Sequence, residues 1–366
     1  MDSRERTFLA LRHEEPDRVP LDLWLSAGFR AKLEAHTGMP TAAFLDEHDV
    51  DLRYIEGPRY IGPALRRWPD GSAEDLWGVR RRPAVVQSAG GSERYMELMV
   101  SPLAALTRVA EVEAYPRWPS PDWFDYSVVA AQCRAVRARG RLAVFMGDRL
   151  NRLAQLKPAM YLRGIEQILA DLVLAPEMAR AIFARIRSFY REYAARLLAA
   201  AAGGLDLLLT GDDFGTQTGP LLSAGMWREF LLEGFGEYIE LAHAHGVRVA
   251  HHTCGGVRPL IPLFLDAGLD VLQSVQPEAA GMEARSLKSE FGARLAFQGG
   301  LSIQRTLPFG TPAAVRAEVR ARLAALAPGG GYILGPAHNI QADAPVANLL
   351  ALLAAHREYG SYPLAL

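Results

Sequence analysis

Two side chains that can bind a metal stand two residues apart in His252-Thr253-Cys254, where the apolar run 247–252 ends. On an extended chain alternate residues point to the same side, so an imidazole nitrogen and a cysteine sulfur are presented together. They make two corners of a zinc tetrahedron, and a catalytic zinc takes a third protein ligand while its fourth position stays open. His338, Asp212, Asp213 and His251 all carry suitable atoms for the third corner. His251 ranks low among them, because it neighbours His252 on the strand and faces the other way. A bare His-x-Cys also fits an ordinary buried cysteine beside a hydrogen-bonded loop histidine, so the pair alone leaves both readings open.

The same contrast recurs elsewhere. Asp148, Arg149, Asp212, Asp213, Gln276, Gln298, His338 and Asn339 all follow short runs of valine, leucine, isoleucine and alanine, interleaved with glycine. One polar residue after a strand ordinarily caps the next helix; so many of them point to a shared site. Of the adjacent Asp212 and Asp213, one is expected to face substrate as general acid/base, metal ligand or anchor, and the other to cap the following segment. Arg149 and Arg152, with Arg53 and Arg59, are candidates for clamping substrate carboxylates. Gln276, Gln298, Asn339 and Asp148 are further candidates for substrate contact.

Eight runs carry these residues: 19–24, 51–55, 142–146, 205–210, 247–252, 270–275, 295–297 and 332–334. Stretches of helical period separate most of them, among them 176–202, 226–245 and 311–326, the last opening on Thr-Pro. Strand alternating with helix implies a parallel sheet, and eight units imply closure into a single (β/α)8 TIM-type barrel spanning 1–366, with a doubly wound open sheet as the structural alternative. In such a barrel the strand ends converge on one face, where catalysis sits. Residues 60–119 break the rhythm with Trp68-Pro69-Asp70-Gly71 and Trp77-Gly78, and read as a hairpin-rich insertion after the second strand that forms a rim or lid.

Composition sets the class of partner. The formal net charge of -1 over 366 residues gives no field for nucleic acid or an anionic membrane, so a small-molecule substrate is expected. Two distant cysteines make no disulfide framework and indicate a reducing, cytoplasmic setting. The charged start Met-Asp-Ser-Arg-Glu-Arg lacks an apolar signal-peptide core, and no run reads as a membrane span. No Walker A loop, no dinucleotide-binding Gly-x-Gly-x-x-Gly after the first strand, no nucleophile elbow and no corrinoid-ligating Asp-x-His-x-x-Gly is present.

In order and spacing, these motifs resemble the uroporphyrinogen decarboxylase superfamily, which also holds zinc-dependent, corrinoid-linked methyltransferases. The resemblance runs from Arg12 and Pro16-Asp17-Arg18-Val19-Pro20 through Gly164-Ile165-Glu166, Gly211-Asp212-Asp213 and Trp227-Arg228 to His252-Thr253-Cys254-Gly255-Gly256, Gly299-Gly300, Pro336-Ala337-His338-Asn339-Ile340 and Asn348. It implies the barrel already argued. The Arg-Gln-Ala-Gly-Arg-Tyr-type motif of the metal-free decarboxylases is absent from Leu21-Asp22-Leu23-Trp24-Leu25-Ser26-Ala27-Gly28-Phe29. The methyltransferase branch carries a His-x-Cys pair and a later cysteine on zinc; His252 and Cys254 match the pair, and His338 stands where that cysteine is expected. The resemblance therefore implies zinc on His252, Cys254 and His338, a methyl group passing to or from a corrinoid on a partner protein, and a homodimer. Decarboxylation of a porphyrinogen or other polycarboxylate is the alternative it leaves, and non-catalytic tetrapyrrole binding a third.

Overall fold

The computed structural model describes residues 1–88, 90–147 and 152–365. The principal strands in chain order are β1 (Leu52–Ile55), β2 (Arg80–Ser88), β3 (Gly91–Val100), β4 (Leu142–Phe145), β5 (Leu207–Gly211), β6 (Arg248–His252), β7 (Val271–Val275), β8 (Ala296–Leu301) and β9 (Tyr332–Pro336). Seven of them form one parallel sheet in the order β1-β4-β5-β6-β7-β8-β9. The segment 19–25 joins its two edges. Leu334 N–H donates to the Pro20 carbonyl and Asp22 N–H to the Leu334 carbonyl, while on the other side Asp51 N–H donates to the Leu21 carbonyl. The sheet is thus a closed barrel. The eighth strand expected over 19–24 is reduced to isolated bridges, Leu21 to Leu334 and, just past it, Leu25 to Ile340, in a segment where Pro20 has no N–H to offer the ladder.

Alternation along the strands divides the core in two. Inward-facing Leu52, Val144, Leu207, Leu209, Ala250, Val271, Ala296 and Ile333 fill the barrel. The opposite strand faces pack under helices such as Pro176–Ala201, which starts on proline and buries Ile182, Ile186, Tyr190, Tyr193 and Leu197 on one stripe. Helix Pro312–Leu326 is capped by Thr311, whose side chain accepts from Ala314 N–H. The helix expected over 226–245 is two, Ala224–Phe230 and Leu232–Ala244, because Leu231 leaves helical geometry and its carbonyl takes the Gln155 side-chain amide. Below the barrel, helix Ser3–Leu11 sets Phe8 and Leu11 against the interior cluster.

Between β1 and β4, β2 and β3 form an antiparallel hairpin, with Ala73–Glu74 paired to β2. Its tip returns to the barrel mouth. Glu93 accepts from Ser26 Oγ and from Ala342 N–H, and Lys32 Nζ donates to the carbonyls of Gly90, Ala342 and Ala344. Among the described residues no helix is long and apolar enough to cross a membrane.

Candidate metal centre

Strand alternation delivers the site. Ala250 lies in the apolar interior and His252, two residues on, faces inward one layer higher. His252 pairs in register with Gln273 of β7, and its Nδ1–H donates to Gln273 Oε1. That bond fixes the tautomer and leaves Nε2 with a lone pair. Nε2 lies 3.6 Å from Cys254 Sγ. With bonds of about 2.3 Å to sulfur and about 2.0–2.1 Å to nitrogen, the S···N edge of a zinc tetrahedron is about 3.6 Å, so the pair already has the spacing the ion needs. His338 joins them from the end of β9, and one donor atom from each of the three lies within 4.8 Å of the others. His338 Nδ1–H is engaged by Asn339 Oδ1, which frees its other nitrogen in the same way. Trp24 braces both imidazoles, with ring centroids 4.8 Å from His338 and 5.6 Å from His252.

The turn that carries Cys254 depends on two glycines. Gly255 has φ +84°, and a Cβ there would come within 2.4 Å of the Gly215 backbone; a Cβ on Gly215 would meet the Cys254 carbonyl at 2.7 Å. Only glycine lets the two loops lie backbone on backbone. Gln276 Oε1 then accepts Gly255 N–H at 2.9 Å, and Thr253 Oγ1 accepts Phe214 N–H at 2.9 Å. Ser274 is the strained residue of the group. It is buried at φ +76°, a left-handed conformation that costs a non-glycine residue about 1–3 kcal/mol.

Burial sets the protonation states. It drives His252 well below the ordinary imidazole value, with the neighbouring His338 adding to the effect, and it lowers His338 too. Both rings are therefore neutral donors of lone pairs at neutral pH. Burial, reinforced by the charge of Asp213, pushes the Cys254 thiol up to about 12, so this sulfur becomes a thiolate only beside a cation. A metal ion is such a cation.

The two adjacent aspartates part company. Asp212 accepts backbone N–H bonds from Gln155, Leu156 and Lys157, the start of helix Leu156–Arg163. Burial raises it to about 6 against those three donors. Asp213 turns to the site: Oδ1 accepts Cys254 N–H at 3.2 Å and lies 3.8 Å from His252 Nε2, while Oδ2 pairs with Lys157 Nζ. Burial works against its charge, but the Lys157 ammonium outweighs it and holds the carboxyl well below the usual range.

His252, His338 and Lys157 border a cavity of about 370 Å³, lined also by Trp24, Tyr95, Arg152, Tyr161, Asn339 and Gln341 among others. Asp148 and Arg149 lie outside the described residues. Gln298 is buried beneath the cavity, where Nε2 donates to Asp22 Oδ2, which also accepts from Tyr54 OH. Gln276 holds the glycine turn rather than the cavity wall. Arg53 binds Asp46 and the carbonyls of Val50 and Leu52, and Arg59 pairs with Asp125; neither reaches the cavity. Arg152 does, with its guanidinium 5.5 Å from the Trp24 ring centroid. His251 faces outward, stacked on Phe214. Sequence reasoning passed over Trp24, Lys157, Gln273 and Ser274. Trp24 had a signal, since it alternates with Leu23 and Leu25; Gln273 and Ser274 are recognisable only once strand register is known, and Lys157 only once its helix is placed against Asp213.

Residues 153–359 match the family model described as Uroporphyrinogen decarboxylase (URO-D). A methyltransferase from Methanosarcina mazei shares the fold at a TM-score of 0.68, covering 98% of this chain and 99% of that one with 18% identity. A D-psicose 3-epimerase solved in the presence of D-fructose, and another from Clostridium cellulolyticum H10 with D-tagatose, overlap loosely: TM-scores are 0.37 and 0.39 at 12% identity, over 69% and 68% of this chain and 93% and 85% of theirs. No curated protein matches the sequence.

Proposed function

The chain belongs to the uroporphyrinogen decarboxylase (URO-D) family, and from that premise we propose that it is a zinc-dependent, methyltransferase-like enzyme that exchanges a methyl group with a corrinoid on a partner protein. The observation that carries the reading is the convergence of His252, Cys254 and His338, with one donor atom each within 4.8 Å. Two neutral imidazoles and one thiol are a donor set zinc accepts. The name of the Methanosarcina mazei neighbour, a methyltransferase, agrees with the reading. When bound, zinc supplies Lewis acidity, deprotonating a nucleophile at neutral pH or polarising a leaving oxygen.

The chain's own residues do the rest. Gln273 and Asn339 hold the two imidazoles in orientation. Asp213 is ionised at neutral pH and so has no proton to donate; its part is to anchor Lys157 at the cavity wall. Asp212 serves by capping the helix that carries Lys157. Trp24 and Tyr161 exclude water from one side. The cavity is at the lower end of the about 300–1,000 Å³ usual for small-molecule sites, which suits a small nucleophile and leaves a macrocycle to present its methyl group from outside.

The test is metal content of protein purified without added zinc, beside His338→Ala, together with demethylation of free methylcobalamin by small thiols followed by its visible absorbance. The expected result is about one zinc per chain, lost in the variant, and methyl transfer abolished by chelation. Metal-free protein that cannot be reconstituted, with chelator-insensitive release of CO2 from a porphyrinogen or smaller polycarboxylate, would replace the proposal with the decarboxylase reading.

A further inference from the structure

An undisturbed β7 would send Gln273 into the barrel and Ser274 to its outer face. The chain departs from that pattern. Its register against β8 slips between Gln273 and Val275, a β-bulge, and Ser274 sits in the bulge at φ +76°. Bulges of this kind re-aim a side chain beside active sites. Here the Ser274 hydroxyl donates to the carbonyl of Ala337, the residue before His338, and lies 3.9 Å from Cys254 Sγ. Gln273, the preceding residue, holds His252. Two consecutive residues of one strand thereby address all three candidate ligands: one imidazole directly, the sulfur by contact, and the second imidazole through its neighbouring peptide.

We infer that Ser274 is a positioning residue of the metal centre, whose hydroxyl sets the spacing between Cys254 and His338. The inference rests on the zinc reading above. The left-handed backbone is the means by which the hydroxyl reaches the inside. Glycine would suit that backbone better than serine does, so the presence of a side chain needs its own reason, and the bond to Ala337 supplies one. Ser274 touches neither the cavity nor a reacting atom. It acts through the ligands, as groups that orient metal-binding side chains do.

The two demands on this position can be separated, because glycine relieves the backbone and removes the hydroxyl at once. The experiment compares the parent, Ser274→Gly, Ser274→Ala and His338→Ala by zinc competition against a chromophoric chelator, thermal unfolding, and the visible spectrum after cobalt substitution. With metal removed from both, Ser274→Gly should unfold at the same or a higher temperature than the parent, yet bind zinc about 10–100-fold more weakly. Its cobalt form should keep the thiolate charge-transfer band, since Cys254 remains, while the ligand-field bands shift with the altered geometry. Ser274→Ala should lose affinity similarly and also lose stability; if it fails to fold, the glycine variant carries the test alone. A glycine variant that binds zinc as tightly as the parent, with an unchanged cobalt spectrum, overturns the inference and leaves the zinc reading intact. A parent that binds no more zinc than His338→Ala overturns both.

Discussion

The two ends of the barrel use the same kinds of side chain to opposite effect. At the base, Asp51 accepts from Arg6, Arg18 and Leu21 N–H, and Asp206 accepts from Arg4, Arg137 and Ala143 N–H. These carboxylates are wholly buried and surrounded by donors. At the mouth, His252 and His338 each give one nitrogen to a neighbouring amide oxygen, the other nitrogen of His252 lies 3.6 Å from the Cys254 sulfur, and Cys254 keeps a proton that a bound cation would displace. Saturated polar groups close the barrel around helix Ser3–Leu11. Half-saturated ones leave lone pairs pointing at a cavity. Chemistry here is a matter of which hydrogen bonds are left unmade, more than of which residues are present.

The contrast breaks most sharply with one substitution at each end. Cys254→Ala should reduce bound zinc from about one per chain to a trace and lower turnover by at least about 100-fold, while its unfolding temperature stays close to that of the metal-free parent. Arg6→Ala should do the reverse. It strips a buried carboxylate of one partner and should cost about 3 kcal/mol of stability, while the folded protein keeps its zinc. Metal analysis beside chemical unfolding checks both, and zinc loss from folded Arg6→Ala protein would erase the distinction between the ends.

A subtler version lies within the mouth itself, between Asp212 and Asp213. Asp212 behaves like a base-end group that happens to sit at the top. Asp212→Ala leaves three backbone N–H groups without their acceptor and should cost about 2 kcal/mol. Asp213→Asn should cost about 1 kcal/mol or less, since its partner Lys157 is a third exposed, but should slow turnover on the order of 100-fold by releasing Lys157 from the wall. Equal losses of stability in the two variants would show that the aspartates share one role.

The barrel was legible because its signals are local. Alternating runs and glycine-rich ends mark the strands from Asp51 onward, and His252 with Cys254 announce themselves by a spacing of two on an extended chain. The split between Asp212 and Asp213 was expected in kind, though not which residue takes which part; that depends on helix Leu156–Arg163 arriving from elsewhere with its N–H groups exposed. Gln273 could not be read because its value lies in register with His252, a fact about two strands. Ser274 is hidden further still. Strand parity predicts an outward serine, and only the bulge and the positive φ reverse it. Lys157, on a helix, gives no sign in sequence of the carboxylate it meets 56 residues later.

Between the two ends lies a layer that belongs to neither. Asp22 Oδ2 accepts from Tyr54 OH and Gln298 Nε2, while Asp22 Oδ1 and Gln298 Oε1 are both buried with no hydrogen-bond partner among the described residues. Burial raises Asp22 to about 6, against those two hydrogen bonds. A carboxyl raised on folding contributes stability that is fully present below its unfolded value, near 4, and is lost as pH climbs through about 6. Protonated Asp22 can give its hydrogen to Gln298 Oε1 and satisfy both orphaned atoms; ionised Asp22 cannot. Asp22→Asn makes that hydrogen permanent, since the new amide can donate to Gln298 Oε1 at any pH. The variant should match the parent near pH 4 and become more stable than it by about 1–3 kcal/mol between pH 5 and pH 8. Urea unfolding at several pH values reads the difference. A constant offset across that range would mean that Asp22 keeps its charge state throughout, and would move it from this intermediate layer to the saturated groups of the base.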